Sequence, residues 1–173
     1  MSSGLKPGKK SAAALAALIT AVAMTIVVPF VATHEGEELE TYRDIAGVWT
    51  ACYGDTDPEM AIPGASYTRE ECIDSLMRQL VAHAEPMVAC VPGVTASPEI
   101  TSAFLSLTYN IGSGAFCRST VARRFNAGDY AGACEAIEMW KYANGKVVKG
   151  LVLRRADERR LCERGIPAME AAL

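Results

Sequence analysis

The chain has 173 residues, a formal net charge of -3 and 50% hydrophobic residues, and its mean hydropathy is +0.14. That length suits one compact domain plus an appendage. The apolar content argues against intrinsic disorder, and a charge near zero argues against a dedicated nucleic-acid binder. A positive mean hydropathy is unusual for a soluble chain, so the excess must be located.

It lies near the start. From Ser11 to Thr33 no residue is charged, a run of 23 residues, or roughly 34 Å as a helix at about 1.5 Å per residue. A bilayer core needs about 20 such residues. Lys6, Lys9 and Lys10 precede the run, and Glu35, Glu37 and Glu38 follow it, so the positive-inside rule puts the N-terminus in the cytoplasm and the remainder outside. As a membrane span the segment is weak. Eight of its 23 residues are alanine, which dilutes the Leu, Ile, Val and Phe that supply insertion energy, and Pro29 tends to kink or end a helix. Composition leaves three readings open: a signal peptide cleaved after Ala21-Val22-Ala23, a permanent anchor, or a marginal anchor that inserts and later leaves the bilayer.

A hairpin comes next. Ile45, Val48, Trp49 and Tyr53 favour strands, and Ala46-Gly47 is a turn signal. Helices then dominate. Thr68 and Glu71 have capping-box spacing, and Ile73, Leu76, Met77, Leu80, Val81 and Ala84 form a helical stripe that Pro86 is expected to end. Ser97-Pro98 opens a helix with Ile100, Ala103, Phe104, Leu107 and Ile111 on one face. A short helix from Ser119 to Asn126 closes at Gly128, Asp129 caps another through about Glu138, and Gly150 to Arg164 forms the last long one.

Six cysteines, Cys52, Cys72, Cys90, Cys117, Cys134 and Cys162, all lie beyond the apolar run. An even count after an export signal indicates disulfides in an oxidising compartment. Linking the flanks of adjacent predicted helices gives Cys90–Cys117 and Cys134–Cys162, and Cys52–Cys72 remains. There is no C-x-x-C, and His34 and His83 are the only histidines. This argues against a zinc site and against a Ser-His-Asp hydrolase, and no metal or cofactor is expected. His83, beside an apolar helix face, reads as structural. Charge is divided: residues 34–117 hold 3 basic and 13 acidic side chains, residues 118–173 hold 11 basic and 7 acidic. Either these are solvated helix faces or the second half supplies a basic wall along a groove for an anionic polymer.

The chemistry-bearing stretch runs from His34 to Thr56. Glu35 sits at the end of the apolar helix, Asp44 at the start of the hairpin and Thr50 on its return strand. A helix-end carboxyl facing a hairpin carboxylate across a cleft is what glycoside hydrolysis requires, one acid for the leaving oxygen and one carboxylate for the attacking water. An acid at the margin of an apolar helix is partly desolvated, which favours its protonated form, and a threonine hydroxyl orients a water without carrying charge.

Glu-Gly, then Tyr-Arg-Asp, Gly-Val-Trp-Thr and Tyr-Gly, in the spacing E-x8-D-x5-T, resemble the T4-type phage lysozyme family. Two further blocks, FLSLTYNIGSGAFCRSTVARRFNAGD from Phe104 and WKYANGKVVKGLVLRRADERR from Trp140, resemble the family's core helix and its C-terminal helices, so the likeness covers residues 34 to 164. The apolar leader resembles the signal-anchor-release segment of lambdoid-phage endolysins.

The resemblance implies an α+β, lysozyme-like fold, mainly helical with a small β-hairpin lobe and preceded by an N-terminal apolar helix. It divides the chain into a basic tip and anchor (residues 1–33) and a catalytic domain (residues 34–173). It implies an endolysin, a muramidase cleaving the β-1,4 bond between N-acetylmuramic acid and N-acetylglucosamine in peptidoglycan. Glu35 would be the general acid, and Asp44 and Thr50 would hold the water, with inversion. Thr56, Tyr109 and Ser119 fall near positions that line the saccharide cleft, although Tyr109 suits the core equally well. Asn110, Gly112 and Gly114 read as shaping a turn. The leader becomes a releasable anchor: residues 11–33 tether a monomer to the host inner membrane and then free it into the periplasm. No cysteine lies in residues 1–51, which argues against control by disulfide exchange in the anchor. A lytic transglycosylase and a wall-binding module without catalysis are the competing readings. One departure stands out. Family members often carry Gly-His where this chain has Gly54-Asp55. Asp55 either lowers the pH at which the cleft works or is a solvated residue, and the solvated reading is preferred.

Overall fold

The computed structural model describes residues 19–36, 38–44 and 47–172, with the backbone alone given for Ala23, Met24 and Glu35. Residues 11–18 of the apolar leader lie outside the described residues. From residue 19 the leader is helical, passes through a π-helical turn at Ala23–Val27 and ends as α1 (Val28–Glu35). Pro29 does not end this helix; it occupies the first turn of α1. Its ring crowds the carbonyl four residues back and offers no N–H in exchange. The wider π turn directly ahead of it accommodates that loss. Ile19, Val22, Val27, Val28 and Val31 are buried in the core. Among the described residues, no helix is long and apolar enough to cross a membrane.

The hairpin pairs β1 (Glu38–Arg43) antiparallel to β2 (Trp49–Cys52), with Tyr42 opposite Thr50 and Arg43 opposite Trp49. The Arg43 guanidinium lies 4.8 Å from the centre of the Trp49 ring. Of the expected turn, Ala46 lies outside the described residues, while Gly47 has φ 79° and donates its N–H to the Asp44 carbonyl at 2.9 Å.

Helix α2 (Arg69–Cys90) begins on the expected capping box. Thr68 accepts from Glu71 N–H, and Glu71 accepts from Thr68 N–H. The Thr68 N–H and the Thr68 hydroxyl, both donating to the carboxyl, hold Glu71 below its ordinary pKa. Pro86 does not end α2, contrary to expectation; the helix runs one more turn. Met87, fully buried, and Cys90, bonded to Cys117, fix that turn from outside the helix ladder.

Helix α3 (Pro98–Ile111), capped by Ser97, is the central element, buried at every position from Ile100 to Thr108. Phe104 packs against Phe116 and Phe125 at 5.4 Å. Around it lie α4 (Ser113–Cys117), α5 (Thr120–Asn126), α6 (Tyr130–Ala136) and α7 (Lys149–Arg164). Asp129 caps α6, but the α-helix stops at Ala136 and a 3-10 turn covers Ile137–Met139. A second hairpin, β3 (Tyr142–Ala143) with β4 (Lys146–Val147), and a terminal helix α8 (Ile166–Ala171) were not expected.

All three expected disulfides are present. Cys52–Cys72 ties β2 to α2, Cys90–Cys117 ties α2 to α4, and Cys134–Cys162 ties α6 to α7. Each is worth about 2–4 kcal/mol. The small β lobe is thus cross-linked to the helix that joins it to the main core.

Thr68→Ala removes the acceptor for Glu71 N–H. Equilibrium denaturation should show a loss of about 1 kcal/mol; an unchanged midpoint would mean that the cap contributes nothing to α2.

Candidate active site

Helix α1 and the β1–β2 hairpin carry the three residues expected to be catalytic. Helix α1 ends at Glu35, and Gly36 turns the chain with φ 72° and ψ 151°, a conformation that favours glycine. The Glu35 side chain lies outside the described ones. Just before it, His34 Nε2 stands 3.4 Å from Asp157 Oδ2, which fastens the end of α1 to α7.

Asp44 and Thr50 both hang on one residue, Val48. Val48 N–H donates to Asp44 Oδ1 at 2.9 Å, and Asp44 N–H donates to the Val48 carbonyl at 2.9 Å. Thr50 Oγ1 donates to the same carbonyl at 3.1 Å and is 3% exposed. The hairpin therefore holds the two side chains as one unit. Because the Thr50 proton is committed to Val48, the oxygen presents lone pairs to any incoming group.

Below the hairpin lies a cleft of about 300 Å³ lined by Tyr53, Gly54, Thr56, Gln79, His83, Tyr109 and Asn110. Two expected saccharide residues, Thr56 and Tyr109, meet there. Tyr109 is half-buried and donates its hydroxyl to the Tyr53 carbonyl at 2.7 Å, joining α3 to the β lobe. Ser119 is placed elsewhere, buried as the N-cap of α5, where it accepts from Ala122 N–H. Gln79 and His83 were not singled out for the cleft, and Asn110, read as a turn-shaping residue, also faces it. A signal was available: Ser75, Gln79 and His83 recur every four residues, a polar face beside the apolar stripe of α2.

Among the described residues, the cleft lining carries no Lys, Arg, Asp or Glu. Five arginines of the C-terminal half are engaged with neighbouring carboxylates. Arg124 pairs with Asp129 and Glu135, Arg159 with Glu138 and Glu163, and Arg160 with Asp157. Arg154 and Arg155 are buried around Glu158. Burial pushes the Glu158 carboxyl above its ordinary pKa, against the pull of both guanidiniums and of the Ser106 hydroxyl. Sequence reading missed this cluster.

Asp55 is not a solvated residue; it is 3% exposed. Asp57 N–H donates to Oδ1 at 2.8 Å and the Ser75 hydroxyl donates to Oδ2. The backbone of Asp55 pairs with Ala51 of β2, and the Asp57 N–H and Ser75 of α2 take the place of water at its carboxyl group.

A helical lobe, a small β-hairpin lobe and a cleft lined by both define a lysozyme-like fold. Two solved structures share it. The muramidase domain of SpmX from Asticaccaulis excentricus aligns with a TM-score of 0.73 at 30% identity, over 80% of this chain and 95% of that one. A P22 lysozyme variant aligns with a TM-score of 0.70 at 30% identity, over 80% and 96%. The SAR-endolysin of Enterobacteria phage P21 is 40% identical over 128 residues, 74% of this chain and 76% of its own. The phage lysozyme family profile matches residues 32–158. The chain belongs to the phage lysozyme family and is a glycoside hydrolase of the lysozyme type.

His83 is half-buried, with Nδ1 3.0 Å from Ser113 Oγ and its ring edge-on to Tyr109 at 5.9 Å. Burial lowers its pKa from 6.5. The folded chain therefore binds this proton more weakly than the unfolded chain, so stability is lost as pH falls below about 6.5 and the loss levels off below the folded pKa. His83→Asn should flatten the fall in stability between about pH 7 and pH 5; thermal melts across that range showing the wild-type slope would contradict the assignment.

Proposed function

We propose that this chain is a phage endolysin that hydrolyses the β-1,4 bond between N-acetylmuramic acid and N-acetylglucosamine in host peptidoglycan, with Glu35, Asp44 and Thr50 as its catalytic residues. The observation that carries the assignment is the shared anchoring of Asp44 and Thr50 on Val48, within the segment that the family profile covers.

In this reading Glu35 protonates the leaving oxygen. A water lies on the opposite face of the sugar and donates one proton toward Thr50 Oγ1, whose own proton is held by Val48. Its other proton goes to the Asp44 carboxylate, which acts as general base. The water's lone pair then points at the anomeric carbon, and attack from that side inverts the configuration. Thr56 and Tyr109 contact the glycan in the cleft, whereas Ser119, buried as the N-cap of α5, takes no part in it. The enzyme works as a monomer and needs no cofactor.

We further propose that residues 1–33 form a basic tip and a releasable anchor ahead of a catalytic domain at residues 34–173. The anchor holds the chain in the inner membrane, N-terminus in the cytoplasm, until loss of membrane potential frees it into the periplasm. The name of the P21 relative, a SAR-endolysin, supports this. So does the burial of Ile19, Val22, Val27, Val28 and Val31 against the domain, the packing expected after release. With residues 11–33 in the bilayer, Glu35 would be held at the membrane surface, away from Asp44. The freed segment then positions it.

A peptidoglycan zymogram comparing wild type with Glu35→Gln and Asp44→Asn tests the catalytic reading. Wild type should clear the gel and both variants should lose at least a hundredfold in activity; undiminished clearing by either would remove that residue from the mechanism. Mass spectrometry of the digest should find reducing ends, whereas anhydro ends would make the enzyme a transglycosylase. For the anchor, changing Ala13, Ala16 and Ala17 to leucine should leave the protein in the membrane fraction and block lysis, and lysis on the normal schedule would refute release.

A further inference from the structure

Gln79 and Asn110 line the same cleft, and each ends in an amide whose oxygen only accepts and whose nitrogen only donates. Which end faces the cleft is decided by what holds the other. Asn110 Oδ1 lies 3.2 Å from Arg155 Nη2. A guanidinium has no acceptor, so the oxygen must face Arg155 and the NH2 is turned away from it.

Gln79 is fixed by a longer chain. Asp55 is an acceptor at both oxygens, taking Asp57 N–H on Oδ1 and the Ser75 hydroxyl on Oδ2. Ser75 has one proton, and it goes to Asp55. At 3.4 Å from Ser75 Oγ, Gln79 Nε2 therefore donates, and Oε1 is the end turned from Ser75. The cleft thus has one amide donor available, from Asn110, and one amide acceptor, from Gln79.

We infer that Gln79 and Asn110 together bind the acetamido group of an N-acetylated sugar, its carbonyl on Asn110 Nδ2 and its N–H on Gln79 Oε1, with Asp55 and Ser75 as positioning residues that set the direction of the Gln79 amide. The inference rests on the cleft being the glycan site. It gives Asp55, which stands where relatives often carry histidine, a defined role here.

Direction makes the idea testable, because Asp55→Asn reverses it. Asp57 N–H still requires an oxygen, so the new amide nitrogen faces Ser75 and donates to it. The Ser75 proton then turns to Gln79, whose amide flips and offers NH2 where the sugar N–H must bind. Kinetics on a soluble peptidoglycan tetrasaccharide, with and without its N-acetyl groups, read this out. Gln79→Met and Asp55→Asn should each raise KM for the acetylated substrate about three- to tenfold, with kcat within about twofold. Neither should change KM for the deacetylated substrate. In the Gln79→Met background, Asp55→Asn should add nothing further. Ser75→Ala, which breaks the chain with little change in volume, should raise KM in the same direction and serves if Asp55→Asn fails to fold. An unchanged KM in Gln79→Met overturns the inference. So does an equal rise on both substrates, or an Asp55→Asn effect that persists without Gln79. If wild type cleaves neither substrate, the glycan reading of the cleft fails as well.

Discussion

Glu158 is a carboxylate from which the fold has removed all water, and the arrangement of the helical lobe follows from how it is satisfied. Ser106 Oγ donates to it at 2.7 Å from α3, Arg154 Nε approaches at 3.2 Å, and Arg155 Nε lies 3.0 Å from its second oxygen. Desolvating three charges is unfavourable, and leaving one without its partners would forfeit about 3–5 kcal/mol. The cluster therefore favours the register in which α7 sits on α3 here. That register places Arg155 against Asn110, at the end of α3 where the cleft begins. One residue earlier, Tyr109 bonds to Tyr53 of the β lobe. A buried ion cluster thus sets, through consecutive residues of one helix, the position of the cleft wall and its link to the hairpin.

The leader is under a different constraint, since in the proposed cycle its apolar residues serve two environments. Alanine suits this. It is the best helix former, yet it brings little of the apolar surface that would hold a segment in lipid. The larger residues, Ile19, Val22, Val27, Val28 and Val31, supply the face buried in the folded domain. Pro29 and the π turn before it fit the same demand, because a helix with a weakened hydrogen-bond ladder is a poorer membrane span than an unbroken one.

What was legible in the sequence was local chemistry. Thr68 and Asp129 each cap the helix expected of them, and Ser97 and Ser119 cap helices expected to start there, since a cap needs only a side-chain oxygen and an N–H two or three residues on. The cysteines paired as helix adjacency suggested. Local rules failed where distant partners decide. Pro86 is a helix breaker until a buried Met87 and a disulfide at Cys90 hold the turn beyond it. Arg154, Arg155 and Glu158 read as a solvated charged face, because nothing within a few residues reveals that α3 will cover them. The β3–β4 hairpin is a different case: Asn144-Gly145, both at positive φ, is a strong turn signal that was present and passed over.

Asp55 shows why composition near a site says less than direction within it. As a third carboxylate it suggested a change in working pH or an inert surface charge. Buried, it is not a surface charge; it is the terminus of a hydrogen-bond chain that runs from Gln79 through Ser75 to its carboxyl group. The opposite wall of the cleft is directed in the same manner, because a guanidinium has no lone pair to offer. Two groups with fixed polarity, one acceptor-only and one donor-only, stand behind two amides of ambiguous polarity and remove the ambiguity. In the proposed site, recognition of an acetamido group falls to two neutral side chains. The charges that orient them, on Asp55 and Arg155, are buried behind, where salt screens them least.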